Sequence, residues 1–251
     1  MKYGYMPHFG MDLFSEIRFA KRHFDFVEIT LRPETNYTEE YVRNIKNVLK
    51  NFELLGHLFW GIDLSKKEVG QIEDACRFIN IYKELGVRKI TVHPSSGDGK
   101  SIEEIIKNNI FALKKINDFC MKNNIQLFVE NMVKPPFNKK TEFDYLVKNI
   151  SSLAVTLDVG HANRTSELNN FLKLAKIGHI HLHENYGEKD HLPFTNKQRL
   201  EKVIKKIKDM LYDDTITLEI FFVLKNDKYI SLDGNERRKI LLEQLEIIKG
   251  L

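Results

Sequence analysis

The sequence predicts an α/β protein: a single (β/α)8 TIM barrel with eight parallel strands, spanning residues 1–251 as one domain. Three observations predict it. Short apolar, β-rich runs alternate with longer amphipathic ones along the whole chain. Eight such pairs fill the 251 residues, about 31 residues each, the usual size of a strand–helix unit. The strands from the third to the eighth end on an imidazole or a carboxylate, and a barrel of this kind builds its site at those ends.

The elements follow in order. The first strand is expected at Lys2–Met6, with a helix at Asp12–His23. The second strand, Asp25–Thr30, precedes a helix at Thr38–Asn51. The third, Phe52–Phe59, carries Gly-His57-Leu-Phe-Trp at its end and leads to a helix at Lys67–Leu85, with Gly86 where a C-cap glycine belongs. The fourth, Arg88–His93, ends on Thr-Val-His93-Pro. Its helix, Ile102–Asn123, shows Ile102, Ile105, Ile106, Ile110, Leu113 and Ile116 at three- and four-residue steps. Ser101-x-x-Glu104 is the capping box that opens it. The fifth strand, Gln126–Glu130, ends on Val-Glu130-Asn before a helix at Thr141–Asn149. The sixth, Ala154–Asp158, runs into Asp158-Val-Gly-His161 and a helix at Glu167–Lys176. The seventh, Gly178–His183, carries His179, His181 and His183 at alternate positions, hence on one face. A helix at Lys197–Leu211 follows it. The eighth strand, Thr215–Ile220, ends on Thr-Leu-Glu219-Ile, and the last helix is Asn235–Lys249. Parallel neighbours need crossovers of this length, and eight of them close into a ring. An open doubly wound sheet is the alternative, and the strand-end chemistry argues against it.

Composition narrows the function classes. The chain is 42% apolar and 29% charged, with 17 Phe and 9 Tyr against 6 Pro, which excludes a disordered chain. No run reaches about 18 uninterrupted apolar residues, so no membrane-spanning helix is expected. The start, MKYGYMPHFGMDLF, lacks the basic-then-apolar build of a signal peptide, and the cytoplasm is the expected compartment. Cys76 and Cys120 lie in helix-like stretches outside any C-x-x-C pair and read as small core residues. The net charge of +4 comes from 39 Lys+Arg against 35 Asp+Glu. It permits an anionic substrate such as a sugar phosphate and does not require nucleic acid.

Carboxylates and imidazoles gathered at one barrel mouth repel, or are costly to desolvate, unless a cation neutralises them. A mixed His/Asp/Glu set suits Zn²⁺, Mn²⁺, Co²⁺ or Fe²⁺ and tolerates Mg²⁺. One or two divalent ions are the expected cofactor. Pro94-Ser-Ser-Gly97-Asp-Gly99-Lys100-Ser101 imitates a nucleotide P-loop, but that motif needs Gly where Pro94 stands. What remains is a strand-to-helix turn whose amides can seat a phosphate. Trp60 and Phe59 either wall the substrate's carbon face or pack under their loop. His179 reads as a deeper hydrogen-bonded barrel residue, His183 as a rim residue, and His8 and His23 as structural.

Taken in order, VEI, GHL, VHP, VEN, LDVGHAN, HIHLHEN, DHLP and LEI resemble the xylose-isomerase-like barrels. That superfamily holds sugar and sugar-phosphate isomerases and epimerases, and also the endonuclease IV class of abasic-site repair enzymes. The resemblance covers Tyr3 to about Leu245. It implies a metal tetrad of Glu130, Asp158, His181 and Glu219, with the two glutamates as the proton-transfer pair. It implies that His57 and His93, with Glu130, hold a second ion, as in the nuclease branch. His161 and His191 match positions used there for a third. That third site also takes an Asp two residues before the His, where this chain has Lys189, with Asp190 directly adjacent. His161, His191 and Trp60 are therefore read as substrate contacts or ligands of a further metal.

The branch is chosen on the loops. Asn131-Met-Val-Lys-Pro-Pro136 replaces the small Gly-rich turn of the repair enzymes, and Lys189-Asp-His-Leu-Pro-Phe-Thr195 replaces their Asp-Arg-His stretch. Strand-end loops read as short. Arg32, Lys134, Lys139, Lys140, Arg164 and Lys189 are scattered and read as solvated surface charges, whereas a DNA groove needs clustered bases. The expected activity is therefore isomerisation or epimerisation of a small-molecule sugar or sugar phosphate through an enediolate. Abasic-site cleavage, with nucleic acid as partner, is the alternative. No membrane partner is expected, and the sequence is silent on oligomeric state.

Overall fold

Residues 1–97 and 99–251 are described by a computed structural model of the chain. Its elements are β1 (Lys2–Tyr5), α1 (Leu13–His23), β2 (Phe26–Thr30), α2 (Glu39–Leu49), β3 (Glu53–His57), α3 (Val69–Glu84), β4 (Lys89–Val92) and α4 (Ile102–Lys122). Then come β5 (Gln126–Glu130), α5 (Lys140–Asn149), β6 (Ala154–Asp158), α6 (Val159–Arg164), α7 (Leu168–Phe171) and β7 (Ile177–Leu182). The remainder is β8 (Glu184–Tyr186), β9 (Lys189–Leu192), α8 (Lys197–Asp209), β10 (Thr215–Leu218), β11 (Phe222–Lys225), β12 (Lys228–Ser231) and α9 (Gly234–Lys249).

Eight of these strands form a closed ring in the order β1-β10-β7-β6-β5-β4-β3-β2, every pair parallel. This is the expected TIM barrel. Short polar side chains start the outer helices. Asp12 accepts from Ser15 N, Thr38 from Tyr41 N, Ser101 from Glu104 N, and Asp233 from Glu236 N. Each such cap contributes about 0.5–2 kcal/mol. Gly86 ends the α3 turn at φ +86°, a conformation that costs glycine little.

Side chains alternate across each strand, so every second residue fills the ring. Thr91 meets Thr156 there at 2.9 Å, and Glu28 meets Thr217 at 2.6 Å. Gly4 lies on the ring wall beside the Phe26 ring, 2.3 Å from where a Cβ would stand. Register then levels the upper strand ends. Thr30 pairs with His57, Asp158 with His181, and His181 with Thr217.

Three features depart from the sequence reading. A helix begins directly at the end of β6, because the Asp158 side chain accepts from His161 N at 2.7 Å. The helix expected at 167–176 is accordingly reduced to α7, after a turn at Ser166 with φ +60°. The last two barrel strands are not followed by short loops: each carries an antiparallel hairpin, β8–β9 and β11–β12. Among the described residues no helix is long and apolar enough to cross a membrane.

Candidate metal centre

The upper strand ends surround a cavity of about 620 Å³ whose floor holds Glu130, Glu219, His57 and His93. Glu130 is the hub. Its Oε2 lies 3.2 Å from His57 Nε2, 3.1 Å from His93 Nε2 and 3.3 Å from His181 Nδ1. Its Oε1 lies 3.6 Å from His161 Nδ1. Glu219 Oε2 lies 3.2 Å from the same His181 Nδ1 and 3.7 Å from His191 Nδ1. One ligand atom from each of Glu130, Asp158, His181 and Glu219 falls within 4.8 Å of the others, and the same holds for His57, His93 and Glu130. The six strand-end residues singled out, with His161 of α6 and His191 of β9, converge here. Trp60, also singled out, stands half-exposed at the mouth, its ring edge-on to Phe9 at 4.4 Å.

The electrostatics suit a cation. Burial raises the Glu130 carboxyl, but the charges of His93 and His181 outweigh it and hold it well below the usual range. Burial also opposes charge on His181. Glu28, Glu130 and Glu219 outweigh it and raise that imidazole well above the ordinary value. The cluster thus demands positive charge, and a proton on His181 or a divalent ion would supply it. His181 Nδ1 and Glu219 Oε2 are buried without a hydrogen-bond partner. Leaving such atoms unpaired costs about 1–3 kcal/mol each, a cost that coordination removes. Ligand atoms about 2.0–2.3 Å from one ion lie at most about 4.6 Å apart, which the observed spread approaches. The residues fit a divalent metal.

The candidate ligands are themselves held by hydrogen bonds. His57 Nδ1 donates to Leu58 O at 2.9 Å, which leaves Nε2 facing Glu130. His161 Nδ1 donates to Asn131 O at 2.9 Å. Asn131 in turn accepts from Asp158 N and donates to Asp158 O, so it aligns both.

Several sequence expectations need correction. His183 is not a rim residue: the β8–β9 hairpin buries it completely, and its Nε2 lies 2.9 Å from Asp158 Oδ2. Asp190, passed over because it is one residue out of place, reaches the site. His191 adopts φ +53°, and Asp190 before it turns inward, 3.2 Å from His183 Nδ1 and 3.8 Å from His161 Nε2. His161, His183 and His191 form a further group whose ligand atoms lie within 4.8 Å. Arg164 is not a solvated charge, since it pairs with Asp190 at 2.8 Å. His8 lines the cavity, with its ring 5.4 Å from that of Phe221. His23 is exposed and outside the site. His179 is the deep barrel residue expected, bonded to Thr215 and Glu28. Glu28 had no assigned role; a lone polar residue inside the apolar Phe-Val-Glu-Ile run was its signal. Ser95 to Gly97, from the loop resembling a P-loop, line the cavity, but the Ser95 amide is taken by Asn109 at 2.8 Å. Asp98 of that loop lies outside the described residues.

Residues 17–249 match the family profile described as the xylose isomerase-like TIM barrel. The chain belongs to that family. Two uncharacterized proteins of Methanocaldococcus jannaschii are each 31% identical to it, over 132 and 182 residues, or 49% and 66% of this chain. The matches span 53% and 59% of those relatives' own lengths. A probable endonuclease 4 of Thermosipho melanesiensis is 26% identical over 219 residues, 73% of this chain and 74% of that one. Among solved structures, a D-tagatose 3-epimerase-like protein superposes with a TM-score of 0.78 at 22% identity, over 100% of this chain and 99% of the other. A D-allulose 3-epimerase from Methylomonas sp. in complex with D-allulose gives 0.81 at 18%, over 100% and 96%. The IOLI protein with a zinc atom gives 0.72 at 18%, over 100% and 96%. These likenesses establish the fold.

Proposed function

We propose that this member of the xylose isomerase-like family is a divalent-metal-dependent epimerase or isomerase of a small sugar or sugar phosphate. The observation that carries the reading is the placement of Glu130 and Glu219. The two carboxylates meet one imidazole nitrogen, His181 Nδ1, at 3.3 and 3.2 Å, and both line the cavity. Proton removal beside a carbonyl and return to the opposite face needs two such bases flanking a small planar carbon centre. Glu130, Asp158, His181 and Glu219 would hold one ion, and His57 and His93 would hold another with Glu130. A bound divalent ion supplies Lewis acidity toward the substrate's carbonyl and hydroxyl oxygens.

This chain's residues then divide the work. One glutamate takes the proton from the carbon next to the carbonyl, and the other, or the same one, returns it. His161, fixed through Nδ1 by Asn131, presents Nε2 to a substrate oxygen. Phe9, Trp60, Phe221 and Phe222 wall the outer cavity and exclude water from the reacting carbon. Among the described residues lining the cavity there is no Lys or Arg, which favours a small sugar over a polyanionic strand.

The test is solvent exchange. With Zn²⁺, Mn²⁺ or Co²⁺ supplied in deuterated water, a panel of ketoses and ketose phosphates should gain deuterium beside the carbonyl, and Glu219→Gln should abolish the gain. Abasic-site cleavage is the second reading. The similarity to a probable endonuclease 4 supports it, as does Asp190 beside His161 and His191, which restores the carboxylate missing two positions before His191. Metal-dependent incision of abasic duplex DNA without exchange into any sugar would decide for it.

A further inference from the structure

Glu28 lies in the middle of β2, below the metal centre and fully buried. Three donors from two strands across the ring converge on it. Thr217 Oγ1 donates at 2.6 Å, His179 Nε2 at 2.9 Å, and His181 Nε2 stands 3.2 Å from both of its oxygens. We infer that Glu28 is the positioning residue of the metal centre: it holds the His181 ring with its proton on Nε2 and its Nδ1 lone pair open to the site. This rests on the cation reading proposed above.

A neutral imidazole has one N–H, and the other nitrogen is an acceptor. A carboxylate only accepts, so the nitrogen facing Glu28 must carry the hydrogen. The nitrogen left over, Nδ1, faces Glu130 Oε2 and Glu219 Oε2 and has no hydrogen-bond partner. The opposite tautomer would press a lone pair against Glu28. Metal-bound histidines commonly give their second N–H to a carboxylate, which sets both tautomer and ring angle. Glu28 is itself fixed, since Thr217 and His179 both hold its Oε2, which leaves Oε1 to His181 alone, and Thr215 Oγ1 holds His179 through Nδ1 at 2.7 Å. An amide at position 28 offers one acceptor oxygen to three donors and turns an NH₂ against the rest.

The experiment measures cation binding directly. Zn²⁺ and Co²⁺ affinities of the purified chain are read near neutral pH by competition with a chromophoric chelator. Glu28→Gln should weaken both about 10- to 100-fold and alter the visible spectrum of bound Co²⁺. Thr217→Val, which frees Glu28 of one donor and leaves the His181 contact, should weaken binding less than Glu28→Gln does. In parallel, nitrogen NMR of the ¹⁵N-histidine-labelled parent chain, taken at a pH high enough to remove the extra proton that Glu28, Glu130 and Glu219 hold on His181, should show the Nε2–H tautomer, with Nδ1 shifting when metal is added. Unchanged affinity in Glu28→Gln, or an Nδ1–H tautomer at His181, overturns the inference. If Glu28→Gln does not fold, the tautomer measured on the parent chain decides alone. A parent chain that binds no cation sinks the proposed function instead, and the tautomer still decides the role of Glu28.

Discussion

Gly160→Ala is a one-carbon probe of the site, because a methyl there has no room. Its Cβ would stand 1.9 Å from His183 Cε1 and 2.3 Å from His183 Nδ1. Ordinary carbon contacts begin near about 3.5 Å, so the ring must retreat by well over an ångström. It is fully buried and held by Asp158 Oδ2 at 2.9 Å. Overpacking costs about 1–3 kcal/mol, and losing a hydrogen bond to a carboxylate adds roughly 1.5–3. Replacing glycine inside α6 returns up to about 1 kcal/mol. The net loss is about 2–5 kcal/mol. At roughly 2–4 °C per kcal/mol for a chain of this size, Tm falls by about 4–20 °C. Gly70→Ala is the control: it sits in α3 with nothing within 4 Å of the new Cβ, and should leave Tm equal or slightly raised. Calorimetric melts of the three proteins read the effect. A Gly160→Ala variant that melts with the parent and keeps its cation affinity would refute the packing of His183 against Gly160.

Three further outcomes are expected. Saturating Zn²⁺ or Co²⁺ should raise Tm and a chelator should reverse it, since a ligand at 100 times its Kd adds about 2.7 kcal/mol; an unresponsive Tm counts against the metal centre. Acid should destabilise the metal-free protein through Glu219: burial opposes its charge, but His191 and His181 outweigh this and bring it down to about 2 from 4.5. Its native carboxylate binds the proton more weakly than the unfolded one, so this stability is present above about pH 4.5 and is lost as pH falls toward about 2. Melts across that window should slope less in Glu219→Gln. Finally, Trp60 is the only tryptophan, half-exposed at the cavity mouth. A bound sugar should shift its emission to the blue, and an accepted substrate that leaves the emission unchanged would remove Trp60 from the binding surface.

The barrel was readable because short apolar runs alternate with amphipathic ones, because the third to the eighth strands end on an imidazole or a carboxylate, and because α4 repeats its isoleucines at helical spacing. The convergence of His57, His93, Glu130, Asp158, His181 and Glu219 was readable for the same reason: parallel strands in one ring put their ends side by side, whereas His161 in α6 and His191 in β9 were legible only through the resemblance to the family. What escaped depends on contacts remote in sequence or on backbone turns. His183 is buried by a hairpin that returns over it, which no local pattern announces. Asp190 enters through the left-handed backbone at His191. The β11–β12 hairpin did leave a trace, since Asn226 and Asp227, at φ +50° and +60°, form the two-residue turn such hairpins favour. Glu28 escaped because attention to strand ends passes over a strand's middle.

The seam between β1 and β10 bears on the order of assembly. Arg237 of α9 is buried there, donating to Ile220 O at 2.6 Å and to Met6 O, 231 positions earlier. The first strand therefore emerges from the ribosome with one edge open and keeps it open until β10, more than two hundred positions later, has been made. Arg237, arriving after every strand of the ring, is the clasp that fastens that edge. Nascent chains halted before it should remain unclosed and open to proteases at β1, and Glu219, one residue from the clasped carbonyl, should be among the last parts of the site to come to rest.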